Sequence, residues 1–189
     1  PAGIKRALEN SNKLQDIGVA RHLWPDSLEA RLLEGKAFLT MGQPAKAEEL
    51  FESAYEDAAY KDEVAVAVWV IYQYRYTQDG TEELRWAERL SIEPLRERFR
   101  ASSLFYLGRA VDSAAAAKKA IELDPGDVWS RQTLGLVLYD SLGKFEEALG
   151  VLQQAERLRP EDWYTHAQLG RLFWFWGKLG EAVPQYRRA

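Results

Sequence analysis

The chain has no cysteine, only two histidines and a single methionine in 189 residues. Without thiols it can hold no disulfide framework, no thiolate metal site and no cysteine nucleophile. His22 lies beside Leu23-Trp24-Pro25 with no partner at a metal-ligand spacing. No apolar run approaches the ~20 residues needed to span a bilayer; the longest, 64–72, is less than half that. The opening PAGIKRALEN has no secretory h-region, so a cytoplasmic location is expected. An excess of positive charge is also missing. The net charge is -4 with both signs interspersed, which argues against a nucleic-acid-binding surface. Hydrophobic content of 47% and charge of 29% fit an ordinary folded domain and exclude disorder.

What the sequence does have is repetition. Leu134-Gly135 recurs as Leu169-Gly170, 35 residues on, and Gly143, Ala148 and Ala155 recur as Gly177, Ala182 and Ala189, each 34 residues on. A period of that size, carried by small residues at fixed offsets, marks a stacked array of helical hairpins. A third copy falls at 94–127, with Pro94 in a first helical turn, Ala101 and Leu104 facing inward and Gly108 at the turn. A fourth lies at 28–61, where Gly35, Gly42, Ala47 and Ala54 keep the same intervals of 7, 5 and 7 as Gly170, Gly177, Ala182 and Ala189.

The organisation read from this is one array over 1–189. It comprises a partial hairpin at 1–27, repeats at 28–61, 62–93, 94–127 and 128–162, and a last repeat at 163–189, whose truncation stays open. The unit 62–93 is irregular, with an overlong first helix, a Gln78-Asp79-Gly80 turn and a short second helix, TEELRWAERLSIE. The run VAVAVWVIYQYRY within it is β-branched and aromatic, but its helical neighbours and spacing make it a buried helix. The small residues Gly35, Ala101, Gly135 and Gly170 admit a partner helix, as Ala47, Ala148 and Ala182 do from the other side. Ala54, Ala120, Ala155 and Ala189 admit the next hairpin, while Phe38, Leu104, Leu138 and Phe173 fill the space between helices. One extra residue lengthens the turn after Leu138, and Pro184 should kink the last helix or delay its start.

These positions resemble the tetratricopeptide repeat, a 34-residue helix–turn–helix unit. Where that family has a tryptophan near the start of the first helix, Arg131 and His166 stand here. The resemblance implies an all-α fold, a right-handed superhelical array of antiparallel helix hairpins forming an α-solenoid. It also implies a non-enzymatic scaffold binding a protein or peptide partner in a concave groove lined by first helices.

No catalytic, cofactor or metal constellation emerges. His166 falls on a packing position. Gly35-Lys36 lacks the remainder of a phosphate loop, and no strand precedes Leu134-Gly135 to make a dinucleotide fingerprint. The pairs Glu48-Glu49, Glu82-Glu83 and Glu146-Glu147 are expected at starts of second helices, complementing the helix dipole. Arg96, Arg98 and Arg100, diluted by Glu97, read as a solvated cluster, as does Arg187-Arg188. On the side of each first helix away from the Leu-Gly seam lie Arg98, Ser102, Phe105 and Tyr106; then Trp129, Gln132, Leu136 and Tyr139; then Tyr164, Arg171, Trp174 and Phe175. Aromatic and arginine side chains are the commonest interface anchors, so this set is the expected partner-binding face, weighed against packing on neighbouring hairpins. The matching places hold no Lys/Asn clamp for a terminal carboxylate; Leu32, Lys36, Gln132 and Leu136 stand there. Two further roles stay open: a regulatory or targeting segment of a larger protein, as the missing initiator Met and the uncapped end at Ala189 would fit, and homo-oligomerisation through an open C-terminal face.

Overall fold

In the computed structural model residues 27–73 and 80–189 are described, and these contain helices and no strand. Two compact units divide the chain, 1–78 and 79–189. The first holds α1 (Leu28–Thr40), α2 (Pro44–Asp57) and α3 (Lys61–Gln73). The second holds α4 (Thr81–Glu88), α5 (Glu93–Tyr106), α6 (Ala110–Leu123), α7 (Val128–Leu136), α8 (Phe145–Leu158), α9 (Trp163–Phe175) and α10 (Leu179–Arg188), with a π turn, Val137–Ser141, prolonging α7. Residues 1–26 of the expected opening hairpin, His22 among them, and Gln78-Asp79 lie outside the described residues.

Helix starts follow from side chains that satisfy orphan amides. Ser27, Asp127 and Asp162 have extended backbones and accept from Ala30, Trp129 and Thr165 N–H at 3.2, 3.1 and 2.8 Å. Pro44 and Pro94 sit in first turns, where the missing N–H leaves nothing unbonded. As far as Gln73 the β-branched run is helical, residues 74–76 lying outside the described ones, and α3 buries Val64, Val68, Trp69 and Tyr72; burial overrides strand propensity. The short helix α4 starts at Gly80, whose φ is 69° and whose missing Cβ leaves room for the Ser103 carbonyl of α5.

First helices end on a shared device. Gly42, Gly108, Gly143 and Gly177 take φ of 70°, 70°, 64° and 77°, the left-handed region that favours glycine. At three of these turns the next N–H reaches back five residues: Gln43 to Phe38, Arg109 to Leu104 and Lys178 to Phe173, at 2.9, 2.9 and 2.8 Å. At the fourth, Lys144 reaches back six, to Leu138 at 2.8 Å. The extra residue of this repeat therefore lies in the helix, not in the turn as the sequence led us to expect. Leu142 N–H bonds to Val137 carbonyl at 3.1 Å, closing a π turn. A widened helical turn keeps its amides bonded within the helix and leaves the glycine closure intact.

Of the two effects expected of Pro184 inside the last helix, a delayed start is not seen: α10 runs through it, starting two residues after Gly177 just as α8 starts two after Gly143. Ala189 is exposed beyond α10 rather than packed in a seam. The second helices otherwise stop where expected, at Leu123 and Leu158 before Pro125 and Pro160.

In three hairpins a first-helix glycine lies against a large side chain of the second helix. A Cβ on Gly135 would stand 2.6 Å from the Leu152 side chain, one on Gly170 would stand 2.9 Å from the Tyr186 ring, and one on Gly35 would enter the Phe51 ring. In the 94–127 hairpin the first-helix residue is Ala101, and by register Ala117 replaces the large partner. Both are fully buried, and Ser113 Oγ donates to the Ala101 carbonyl at 2.6 Å. One added methyl on the first helix thus goes with a residue cut to a methyl on the second. Interiors are packed too tightly for both to be large. We expect Gly135→Ala to cost about 1–3 kcal/mol by overpacking and Leu152→Ala about 2–5 kcal/mol by leaving a cavity. The double variant recreates the Ala101/Ala117 pairing, so urea unfolding should give it a loss well below the sum of the singles; strict additivity would refute the compensation.

Candidate functional site

The first helices α5, α7 and α9, with the π turn that prolongs α7, carry every residue expected on the partner-binding face, and polar bonds running from one first helix to the next divide that set in two. Arg98 on α5 donates from Nε to Asp127 Oδ2 at 2.9 Å, and its guanidinium lies 5.7 Å from the Trp129 ring. Ser130 Oγ also donates to that Asp127 carboxylate. One repeat on, Gln132 Nε2 donates to Asp162 Oδ2 at 2.6 Å and to Thr165 Oγ1 at 2.8 Å. Each N-cap aspartate therefore bonds its own helix start and the preceding first helix at once. Arg98 and Gln132 hold the same register, three residues before Ala101 and Gly135, so the two bonds are one device used twice.

Tyr139 is withdrawn from the surface. It is 2% exposed, its ring lies 5.7 Å from that of Phe175, and its hydroxyl donates to Gln168 Oε1. Gln168 Nε2 in turn donates to the Tyr164 hydroxyl at 2.7 Å. Burial raises the pKa of both phenols; the Arg171 charge opposes the rise at each, as does the Gln168 bond at Tyr164. Ser102 and Gln132 are buried, Leu136 is half-buried against the core, and Trp129 is half-buried with an edge contact to Phe99 at 5.4 Å.

What stays accessible is a smaller patch. Tyr106 is 36% exposed, Trp174 56% and Phe175 45%. Arg171 is exposed, and Phe105 and Tyr164 are half-buried. Phe105 and Tyr106 meet edge-on at 5.5 Å, and Trp174 and Phe175 at 5.0 Å. Such a surface offers aromatic faces and one guanidinium, suited to recognition and without a nucleophile or base poised for reaction.

Sequence reasoning missed Asp127, Asp162 and Gln168. The aspartates had a signal, since Pro125-Gly126-Asp127 and Pro160-Glu161-Asp162 stand 35 residues apart. Gln168 had none, because its repeat counterpart is Thr133.

The other singled-out groups are structural. His166 is 1% exposed; Nε2 donates to the Pro160 carbonyl at 2.7 Å and Nδ1 lies 3.0 Å from Gln185 Oε1. Arg131 donates to the Asp127 carbonyl at 3.0 Å. Arg96, Arg98 and Arg100 pair with Glu93, Asp127 and Glu97, and Arg188 with Glu156. Glu82-Glu83 and Glu146-Glu147 stand in first turns, but Glu48-Glu49 lie beyond the first turn of α2, where Glu48 accepts from the Tyr72 hydroxyl at 2.7 Å. Among the described residues no three His, Asp or Glu gather as metal ligands, and no helix is long and apolar enough to cross a membrane.

The chain matches the sequence family described as Tetratricopeptide repeat over residues 15–63 and 134–189, more than half its length. No curated protein matches it significantly. Among solved structures it is similar to TTC0263, a thermophilic TPR protein in Thermus thermophilus, with 20% identity over 86% of this chain and 90% of that one and a TM-score of 0.67. It is similar to MamA MSR-1, at 23% identity over 89% of this chain and 94% of that one, TM-score 0.55. The MamA RS-1 ArsTM double mutant gives 15%, 86%, 92% and 0.60. At such identities the likeness is one of fold. With glycine-closed hairpins, small-residue seams and a family match over both halves, this all-α solenoid chain belongs to the tetratricopeptide repeat family.

Proposed function

We propose that the chain binds a protein or peptide partner on the face of α5, α7 and α9, through the patch of Tyr106, Tyr164, Arg171, Trp174 and Phe175. Tetratricopeptide repeat proteins serve in general as non-enzymatic scaffolds that bind proteins or peptides. The observation that carries the finer reading is a contrast on one face. Arg98, Gln132 and Tyr139 bond the next hairpin, whereas large aromatic side chains beside them stay in water. Clustered exposed aromatics on a folded domain mark an interaction site more often than solitary ones do. Trp129, expected at the site, supports it from behind by packing on Phe99.

A second reading, self-association through α10, has its own observation. Phe145 of α8 stacks on Trp176 at 5.7 Å, and Leu149 is partly buried against the same core. Their register equivalents on α10, Leu179 and Val183, are 58% and 50% exposed. A second copy covering them would remove that apolar surface from water.

Trp174→Ala should weaken capture of the chain's native partners at least about tenfold, as loss of an anchor does. Val111→Ala, at the similarly exposed Val111 of α6, should leave capture unchanged. Equal effects would reject the face. For self-association, light scattering should show a mass above the monomer that Val183→Glu returns to the monomer; a monomeric wild type rejects it.

A further inference from the structure

We infer that the last hairpin, α9 and α10, rests on the surface of an anionic lipid bilayer, with the exposed stripe of α10 set among the headgroups. The inference is independent of the peptide face proposed above, and it gives the α10 stripe an occupant other than a second copy.

Positive charge and exposed apolar surface are concentrated in this one hairpin. Residues 163–189 hold Arg171, Lys178, Arg187 and Arg188 against Glu181 alone, a net charge of +3. The whole chain carries -4, so the remainder carries -7. Six of the thirteen large hydrophobic side chains exposed among the described residues also fall there. A single end that is both basic and apolar reads as a contact surface rather than a solvated face.

The stripe has a defined geometry. Leu179, Val183, Tyr186 and Arg187 recur at i, i+4, i+7 and i+8, along one side of α10. Tyr186 leans its ring on Gly170 and still stays 46% exposed. A Cβ on Gly180 would meet nothing within 4 Å, so the helix start beside the stripe is open. Glu181 stands two residues from Val183, about 200° round the helix and on its far side. Lys178 borders the hairpin turn with Nζ 3.3 Å from the Trp176 ring centroid, and Arg187 is exposed. Neither enters an ion pair among the described residues, whereas Arg188 is held by Glu156 at 2.7 Å.

Interfacial binding needs these two components: apolar and aromatic groups that enter the headgroup boundary, and cations that meet lipid phosphates. A second copy laid on the same stripe would set +3 against +3. An anionic surface instead attracts this hairpin and repels the acidic remainder, which turns α10 toward the bilayer.

The test is co-sedimentation of the whole 189-residue chain with two kinds of vesicle, phosphatidylcholine alone and phosphatidylcholine with about one-third phosphatidylglycerol. The chain should sediment with the anionic vesicles and stay in the supernatant with the neutral ones, and salt at about 0.5 M should release it. Arg187→Gln should weaken binding about fivefold, the effect of one basic residue at such a surface. Val183→Glu should weaken it at least about tenfold, since a carboxylate replaces an inserted apolar group. Val111→Glu, at an exposed apolar side chain of α6, should leave it nearly unchanged. Binding to neither vesicle, equal binding to both, or equal losses in Val183→Glu and Val111→Glu overturn the lipid surface. Capture of protein partners through Trp174 is a separate measurement and stands under any of these results. Circular dichroism checks that each variant keeps its helices, and the exposed Arg187 keeps the test decisive if Val183→Glu does not fold.

Discussion

Everything in this chain depends on how closely two helices of a hairpin approach. In four hairpins one first-helix position sets that approach, a hydrogen or a methyl placed against a ring, a leucine or another methyl. Gly35, Gly135 and Gly170 face Phe51, Leu152 and Tyr186, whereas the repeat register sets Ala101 against Ala117. In the three glycine hairpins the large group comes from the second helix. Helix formation alone would be marginal at these lengths, so the seam converts local propensity into a stable unit. With the seam fixed, the remaining first-helix positions divide between the next hairpin and solvent.

A second layer of organisation is polar. An aspartate at the N-cap stabilises its own helix and also receives a side chain from the helix before it, as Asp127 does from Arg98 and Asp162 from Gln132. Helix initiation in one repeat is thereby coupled to the position of its predecessor. Buried polar groups demand partners, and these bonds supply them. They also influence which face residues remain for a ligand, since a side chain bonded across the repeat boundary is drawn toward the next hairpin.

The hairpins, seams and turn glycines were legible because small residues recur at fixed intervals, a pattern that chance seldom produces. The binding face was legible in outline only. Counting forward from Leu134-Gly135 put Tyr139 on the ligand side, whereas counting back from Gly143 gives it the interior place of Phe38, Leu104 and Phe173. The two counts disagree because the additional residue sits between them, and periodicity cannot tell whether it widens a helix or a turn. Pro184 stands inside α10, which forms through it. The cross-repeat bonds were hidden because each joins residues about thirty apart that are neighbours only once stacking exists.

The π turn between Val137 and Ser141 shows how such a surface can be edited. A helix advances about 100° per residue, so inserting one residue rotates everything before it relative to everything after. Here the position that holds Phe105 and Trp174 in two other repeats holds Asp140, while the glycine hinge and hydrophobic seam keep their registers. A lineage carrying this architecture can thus re-dress its recognition surface by inserting one codon in a single step, swapping grease for charge without disturbing a packing partner on the opposite helix.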